Sequence, residues 1–429
     1  MSKTRKNSSN YFSLPKSVSV ENFIKKKLKY TFMLNKNKIV SFLLIFLFIS
    51  STFITIRNTI SASELIEDSW NTKTPMSQAR YGLGVVTVDD KIYAIGGVGP
   101  EEIVGTNERY DPFSDTWITL EPMPTPRSFF AIASYQNKIY CIGGLVPGEW
   151  TLSPSRGIGV NEVYDTVTNS WSSKASFPDK LNSEDSVSIS RLCIQACVVD
   201  GKIFVIMEND VDGNTIYMYD IIADLWTAKV SIPVTSLSWI YPVSAVIDDK
   251  IIVTGHNAQK LVVYDPKTDM WSERKTNSII RAEYVTGVAS GMYAPKRIYI
   301  LGTVYDGSIP ANLRSINQVY NPEKNTWSTG KAMPTIRSGF GVAVINDVLY
   351  VIGGRTNEYG TPILSLNEQY VPIGYDTLPS DTKSPLKGIT IVAVALILII
   401  GIGCGVLFYF RKRNYVKEKL YGHVEVKKT

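Results

Sequence analysis

Histidine is almost absent from the 429 residues; only His256 and His423 occur. A histidine-based metal site needs more ligands than one, and Ser-His-Asp or Cys-His catalysis would rest on His256 alone. Cysteine is nearly as scarce, with four residues. Cys193 and Cys197 fall on one predicted strand, roughly 13 Å apart and out of disulfide reach. Cys141 lies on another predicted strand and Cys404 in an apolar run. They read as buried thiols, not a disulfide scaffold. No phosphate-binding glycine loop and no zinc-type cysteine spacing occurs, so no cofactor is implied. Beyond residue 56 there is no Asn-X-Ser/Thr sequon, which speaks against a heavily glycosylated surface protein.

The charge is unevenly placed. The total is +6, yet residues 1–38 hold ten Lys/Arg and one acid, and residues 411–429 hold seven Lys/Arg and two acids. That leaves −8 for residues 39–410. The body is mildly acidic and gives no support for nucleic-acid binding.

Each basic flank adjoins an apolar segment. Gly388–Phe410 is uncharged over 23 residues, roughly 35 Å of helix and enough to span a bilayer. Arg411-Lys412-Arg413 follows, which places the C-terminus in the cytoplasm. The first run, Ile39–Ile56, is a signal peptide or an uncleaved anchor, with an acceptable cleavage site at Ile60-Ser61-Ala62. Met33 offers a second start that would make the leader an ordinary signal peptide. The chain is thus expected to divide into a basic leader (1–38), a signal peptide or anchor (39–62), an extracytosolic body (63–375), a stalk (376–387), a transmembrane helix (388–410) and a cytoplasmic tail (411–429). Gly401 and Gly405 form a small-xxx-small pair that would permit a homodimer in the membrane.

The body repeats. Tyr110, Tyr164, Tyr219, Tyr264 and Tyr320 each precede a tryptophan by seven residues: Trp117, Trp171, Trp226, Trp271 and Trp327. An Asp or Asn follows each tyrosine, suited to opening a turn. β-Branched runs, as in Val85–Val88 and Ile92–Ile95, flank short turn signals such as Asp89-Asp90. Gly96-Gly97, Gly143-Gly144 and Gly353-Gly354 end the second strand of three repeats; Met207-Glu208, Gly255-His256 and Gly302-Thr303 hold that place in the others. Several short strands in a period near fifty indicate radially packed four-stranded blades. Trp70 looks like a fourth strand without its first three, and the repeat ending at Tyr370 lacks its tryptophan. Together they complete one blade, making six.

These glycine pairs and Tyr…Trp steps resemble the kelch family of β-propellers over residues 63–375. The resemblance implies an all-β, six-bladed kelch propeller in which the N-terminal strand closes the last blade. A C-terminal transmembrane helix and an N-terminal signal or anchor helix would accompany it.

An arginine recurs eleven residues before the second strand: Arg80, Arg127, Arg191 and Arg337, with Arg281 after a small insertion and Trp239 in the remaining blade. In a propeller these positions lie near the central channel, where guanidiniums would bind carboxylate or phosphate in bidentate fashion. The alternative is that each arginine caps the carbonyls and turn of a neighbouring blade. Trp150 and Arg156, on the long 146–161 loop, are further candidate anchors. The leading expectation is a membrane-anchored module that binds protein or glycan. Kelch-like periplasmic proteins resembling sialic acid mutarotase supply an enzymatic alternative on small carbohydrates, and a structural spacer is the third; fold alone does not choose among them.

Overall fold

The computed structural model describes residues 65–150, 153–178, 195–207, 215–233, 243–254, 260–275, 283–303, 315–356 and 362–376. The leader, both apolar runs with the Gly401–Gly405 pair, the stalk beyond 376 and the tail lie outside them. Among the described residues no helix is long and apolar enough to cross a membrane. The chain divides into two units, 1–64 and 65–429, and every described strand belongs to the second.

Strand β1 (Ser69–Lys73) comes first in the chain. Blade one is β2 (Gly84–Val88), β3 (Lys91–Ile95), β4 (Asn107–Asp111) and β5 (Thr116–Leu120). Blade two is β6 (Ala131–Tyr135), β7 (Lys138–Ile142), β10 (Asn161–Asp165) and β11 (Ser170–Lys174), with the ribbon β8 (Leu145–Trp150) and β9 (Ser153–Gly157) rising from its loop. Blade three is β12 (Gln195–Val199), β13 (Lys202–Met207), β14 (Thr215–Asp220) and β15 (Leu225–Ala228). Blade four is β16 (Val243–Ile247), β17 (Lys250–Thr254), β18 (Lys260–Asp265) and β19 (Met270–Lys275). Blade five is β20 (Glu283–Ala289), β21 (Arg297–Thr303), β22 (Ser315–Asn321) and β23 (Thr326–Thr329). Blade six is β24 (Gly341–Ile345), β25 (Val348–Ile352), β26 (Asn367–Val371) and β1. The six first strands touch in a closed ring, β2, β6, β12, β16, β20, β24 and back to β2. The expected six blades and the closing N-terminal strand are both present.

Local chemistry explains the strands. Asp89-Asp90, Asp248-Asp249 and Asn346-Asp347 take positive φ at both positions, the requirement of a two-residue hairpin turn matched to strand twist. Asp111, Asp165, Asp220 and Asp265 each accept the N–H two residues on, turning the third strand into the fourth. The three Gly-Gly pairs all have positive φ at both residues, and a Cβ at Gly96 would meet the Arg127 carbonyl at 2.6 Å. In blade five the strand instead runs on through Gly302-Thr303, paired on both sides.

The core lies between blades. Six apolar clusters each draw on two neighbouring blades, so no sheet buries its faces alone. Over them sits a repeated polar latch. In each blade a tyrosine of the third strand lies opposite the tryptophan of the fourth, ring centroids 4.8 to 5.1 Å apart. The turn residue five after the tyrosine accepts its hydroxyl, as Asp115 does from Tyr110 at 2.6 Å. Asp115 Oδ1 also accepts the Thr74 N–H at 2.9 Å, and the Trp117 indole donates to the Thr74 carbonyl at 2.8 Å. Thr74 belongs to the preceding blade and is four residues past Trp70. The same pair of bonds grips Glu121, Ala175 and Val230. Asp68 and Trp70 grip Lys331 likewise, so ring closure uses the ordinary latch.

The junction of blades four and five departs from this. Trp327 Nε1 is buried without a hydrogen-bond partner, and a cavity of about 10 Å³ lined by Thr254, Tyr320 and Trp327 among others lies there. Trp117→Phe is therefore expected to lower the free energy of unfolding by about 1 kcal/mol more than Trp327→Phe does, compared through urea midpoints.

Burial also sets a pH limit. It raises the Cys141 thiol to about 12 and Cys197 to about 11, and it raises Tyr140, Tyr164 and Tyr350 to about 12. The folded chain keeps protons that the unfolded chain gives up nearer the ordinary values of 9.0 and 10.0. Stability is whole below about pH 9 and falls as pH rises toward 12. Urea midpoints should decline over that window, with phenolate absorbance appearing together with unfolding.

Candidate functional site

Arg80, Arg127 and Arg337 occupy the positions read from the sequence, but their side chains are fully buried. Arg80 donates to the carbonyls of Gly96 and Thr106, both at 2.8 Å, and meets Glu108 Oε2 at 2.7 Å. Arg127 donates to the Cys141 carbonyl at 2.8 Å and pairs with Glu162. Arg337 donates to the Val351 carbonyl at 3.0 Å and pairs with Glu368 at 2.9 Å. Ser77, Thr125 and Thr335 hydroxyls complete the carboxylates. Burial pulls Arg80 below its ordinary range and Arg337 down to about 10, with the paired glutamates opposing it. Of the two roles expected of these arginines, the geometry gives these three the structural one, but each braces its own blade and not a neighbour, because its carbonyl and glutamate partners lie on the second and third strands that follow it. A guanidinium fully buried within its own blade is out of reach of a ligand.

The brace depends on a glutamate two residues before the blade tyrosine. Blades three, four and five carry Tyr217, Val262 and Gln318 there, in the same register between second and fourth strands. Arg191, Trp239 and Arg281, which would belong to those blades, lie outside the described residues. Trp150 and Arg156 are placed along the backbone of β8 and β9, and nothing is described of their side chains.

The structure brings together three residues that the sequence reading passed over. Gly82 of blade one donates its N–H to the Gly339 carbonyl of blade six at 2.7 Å, and Phe129 of blade two donates to the Gly82 carbonyl at 2.8 Å. This head-to-tail chain runs across three neighbouring blades. All three residues are left-handed, with φ of 61° at Gly339, 62° at Gly82 and 51° at Phe129. A phenylalanine held there stores of order 1–3 kcal/mol of backbone strain. Its ring covers Gly82, where an added Cβ would meet it at 2.9 Å, and stands edge-on to Tyr81 at 6.0 Å. The Arg355 guanidinium lies over the other side of the chain, 4.5 Å from the Tyr81 centroid. The backbone of Arg355 is pinned by paired hydrogen bonds to Ser338, while its Nε has no partner.

A signal for these residues was present. Phe129 stands two after its arginine, where Gly82 and Gly339 stand in blades one and six. Arg355 follows its Gly-Gly where Val98 and Leu145 follow theirs. Both are departures from the repeat, and departures were read only at the Gly-Gly sites.

The site is a cationic and aromatic rim spanning blades six, one and two. Among the described residues no group of three or more His, Cys, Asp or Glu is placed to hold a metal. The rim sets a guanidinium against one aromatic ring and a second, exposed ring beside it.

The family model for the Kelch motif matches residues 79–124, 126–178 and 336–373, the three blades with Arg–Glu braces. Human Kelch-like protein 15 is 26% identical over 230 residues, 48% of this chain and 35% of that protein. Kelch-like protein terF of Aspergillus terreus (strain NIH 2624 / FGSC A1156) is 27% identical over 160 residues, 34% of this chain and 33% of that one. The chain spans about a third of the length of these relatives. The solved structure of YjhT superposes with a TM-score of 0.52 at 13% identity, covering 69% of this chain and 95% of that one, and shows the likeness of fold. Three blades match the Kelch motif, and the six together form a closed β-propeller.

Proposed function

We propose that this propeller is a protein-binding module, and that it binds through the rim built from Arg355, Tyr81 and Phe129. The observation that carries the reading is the guanidinium of Arg355 laid on Tyr81, both residues half-buried at the rim where Arg80, Arg127 and Arg337 are fully enclosed. Stacking fixes the plane of the guanidinium and leaves its N–H edge for a carboxylate. Phe129, 37% exposed, supplies an adjoining apolar contact at low side-chain entropy cost. An acidic protein segment with an apolar residue beside the carboxylate fits this chemistry. Arg191, Trp239, Arg281, Trp150 and Arg156 extend the same surface in this reading. The two apolar runs tether the propeller outside the cytoplasm, with the 411–429 tail inside and the Gly401–Gly405 pair available for dimerisation; length and charge of those segments support this part.

The discriminating experiment is a peptide array of acidic and neutral sequences probed with the full-length protein and its variants. Arg355→Ala is expected to lower affinity about tenfold with thermal stability unchanged. Phe129→Gly should weaken binding while holding or raising stability, because glycine removes the left-handed strain. Arg127→Ala should behave in the opposite way, losing about 3–5 kcal/mol of stability by leaving Glu162 buried and unpaired. Equal binding by wild type, Arg355→Ala and Phe129→Gly would sink the assignment of the rim.

A further inference from the structure

The other face of the propeller has a different character. Antiparallel strands put the first-to-second and third-to-fourth connections of every blade at the end opposite the Arg355 rim. Phe113, Val167 and Ile222, each third after the blade tyrosine, are 87%, 72% and 97% exposed on these turns, and Ile373 holds the same place in blade six at 45%. Leu225 and Met270 are exposed at the start of β15 and β19, and Met292 in the β20–β21 connection. Every blade therefore presents at least one large apolar side chain on this face. A soluble surface scatters such residues singly; here four of them share one repeat position, held in blades four and five by Lys267 and Glu323, and all seven lie on one face.

Both ends of the described chain leave from the same face. Asp376 donates its N–H to the Tyr293 carbonyl at 2.7 Å and Tyr375 stacks on Tyr293 at 6.3 Å. Ile66, 73% exposed, lies just before β1. Residues 377–387 separate Asp376 from the uncharged run Gly388–Phe410. At no more than about 3.6 Å per residue, that link reaches roughly 40 Å, so the turn face is the one held near whatever the apolar run enters. Charge narrows the choice of surface. Acidic residues crowd these turns, with Asp89, Asp90 and Asp200 at hairpin tips alongside lysines such as Lys91, Lys138 and Lys202. An acidic surface is repelled by anionic headgroups.

We propose that the turn face rests on a zwitterionic lipid leaflet, with Phe113, Val167, Ile222 and Ile373 entering the headgroup boundary. The proposal rests on the membrane tethering in the functional reading above. It also gives the tether a purpose: the Arg355 rim then points away from the bilayer and toward partners.

The test uses the full-length protein in phosphatidylcholine nanodiscs that carry nitroxide-labelled lipids. Phe113→Cys or Ile222→Cys is labelled with an environment-sensitive fluorophore, with labelled wild type as background. The label should be quenched about twofold or more at both positions, whereas a label at Glu101→Cys on the other face should not. Replacing part of the lipid with phosphatidylserine at low salt should restore emission, and raising salt should reverse that. With the label moved to Val167→Cys, Phe113→Asp plus Ile222→Asp should abolish quenching without loss of stability, since both side chains are exposed. Unquenched labels on protein that withstands a carbonate wash would overturn the docking and leave the tether standing. Release of the protein by that wash would overturn both. Quenching that required an added basic polypeptide would assign the face to a protein partner and overturn the lipid assignment.

Discussion

A four-stranded blade is too narrow to bury an apolar core against itself, so each one depends on its neighbours for both faces. What fixes the neighbours in register at five of the six junctions is a single backbone position, four residues past the tryptophan. Its N–H goes to the next blade's turn Asp or Asn, and its carbonyl goes to the next blade's indole. The tyrosine hydroxyl binds the same turn residue, so one carboxylate or amide couples the interior of a blade to its neighbour. Because Asp68 and Trp70 form the same latch with Lys331, closure adds no new kind of contact. The first fourth-strand in the chain is held as the others are.

This coupling explains why the arginine repeat is structural where it can be seen. The second and third strands end under the loops of one face, and their last carbonyls need donors once water is excluded. A guanidinium carries five donors in a fixed plane, enough to serve two or three carbonyls and a glutamate together. Buried charge is tolerable because the carboxylate is placed beside it by strand register. Blades three and five carry Tyr217 and Gln318 where blades one, two and six hold that glutamate.

Much of the fold was legible in the residues. Tyr, Trp and Asp recur because each copy makes the same bonds, so their spacing survives insertions elsewhere. The completing strand at Trp70 was legible too, since an orphan fourth strand and an incomplete last repeat can only satisfy each other. The rim was harder to see. Arg355 and Tyr81 sit at opposite ends of the propeller sequence, and no periodicity links them. Phe129 looked like an ordinary aromatic before a strand until the geometry showed it holding a left-handed position that two other blades give to glycine.

The sequence by itself determined the unit, the number of blades and the way the ring closes, because these follow from short-range pairing copied six times. Only the tertiary structure decided which of the chain's cations face inward and which meet water. Ring closure places blade six beside blade one, and with it lays a guanidinium from the last Gly-Gly loop on the tyrosine that leads into the first strand of blade one. Arg80 and Arg355 are alike in composition and proximity to a strand end. Their surroundings separate them: Glu108 and three backbone carbonyls take the guanidinium of Arg80, whereas that of Arg355 rests on the Tyr81 ring at a half-buried position.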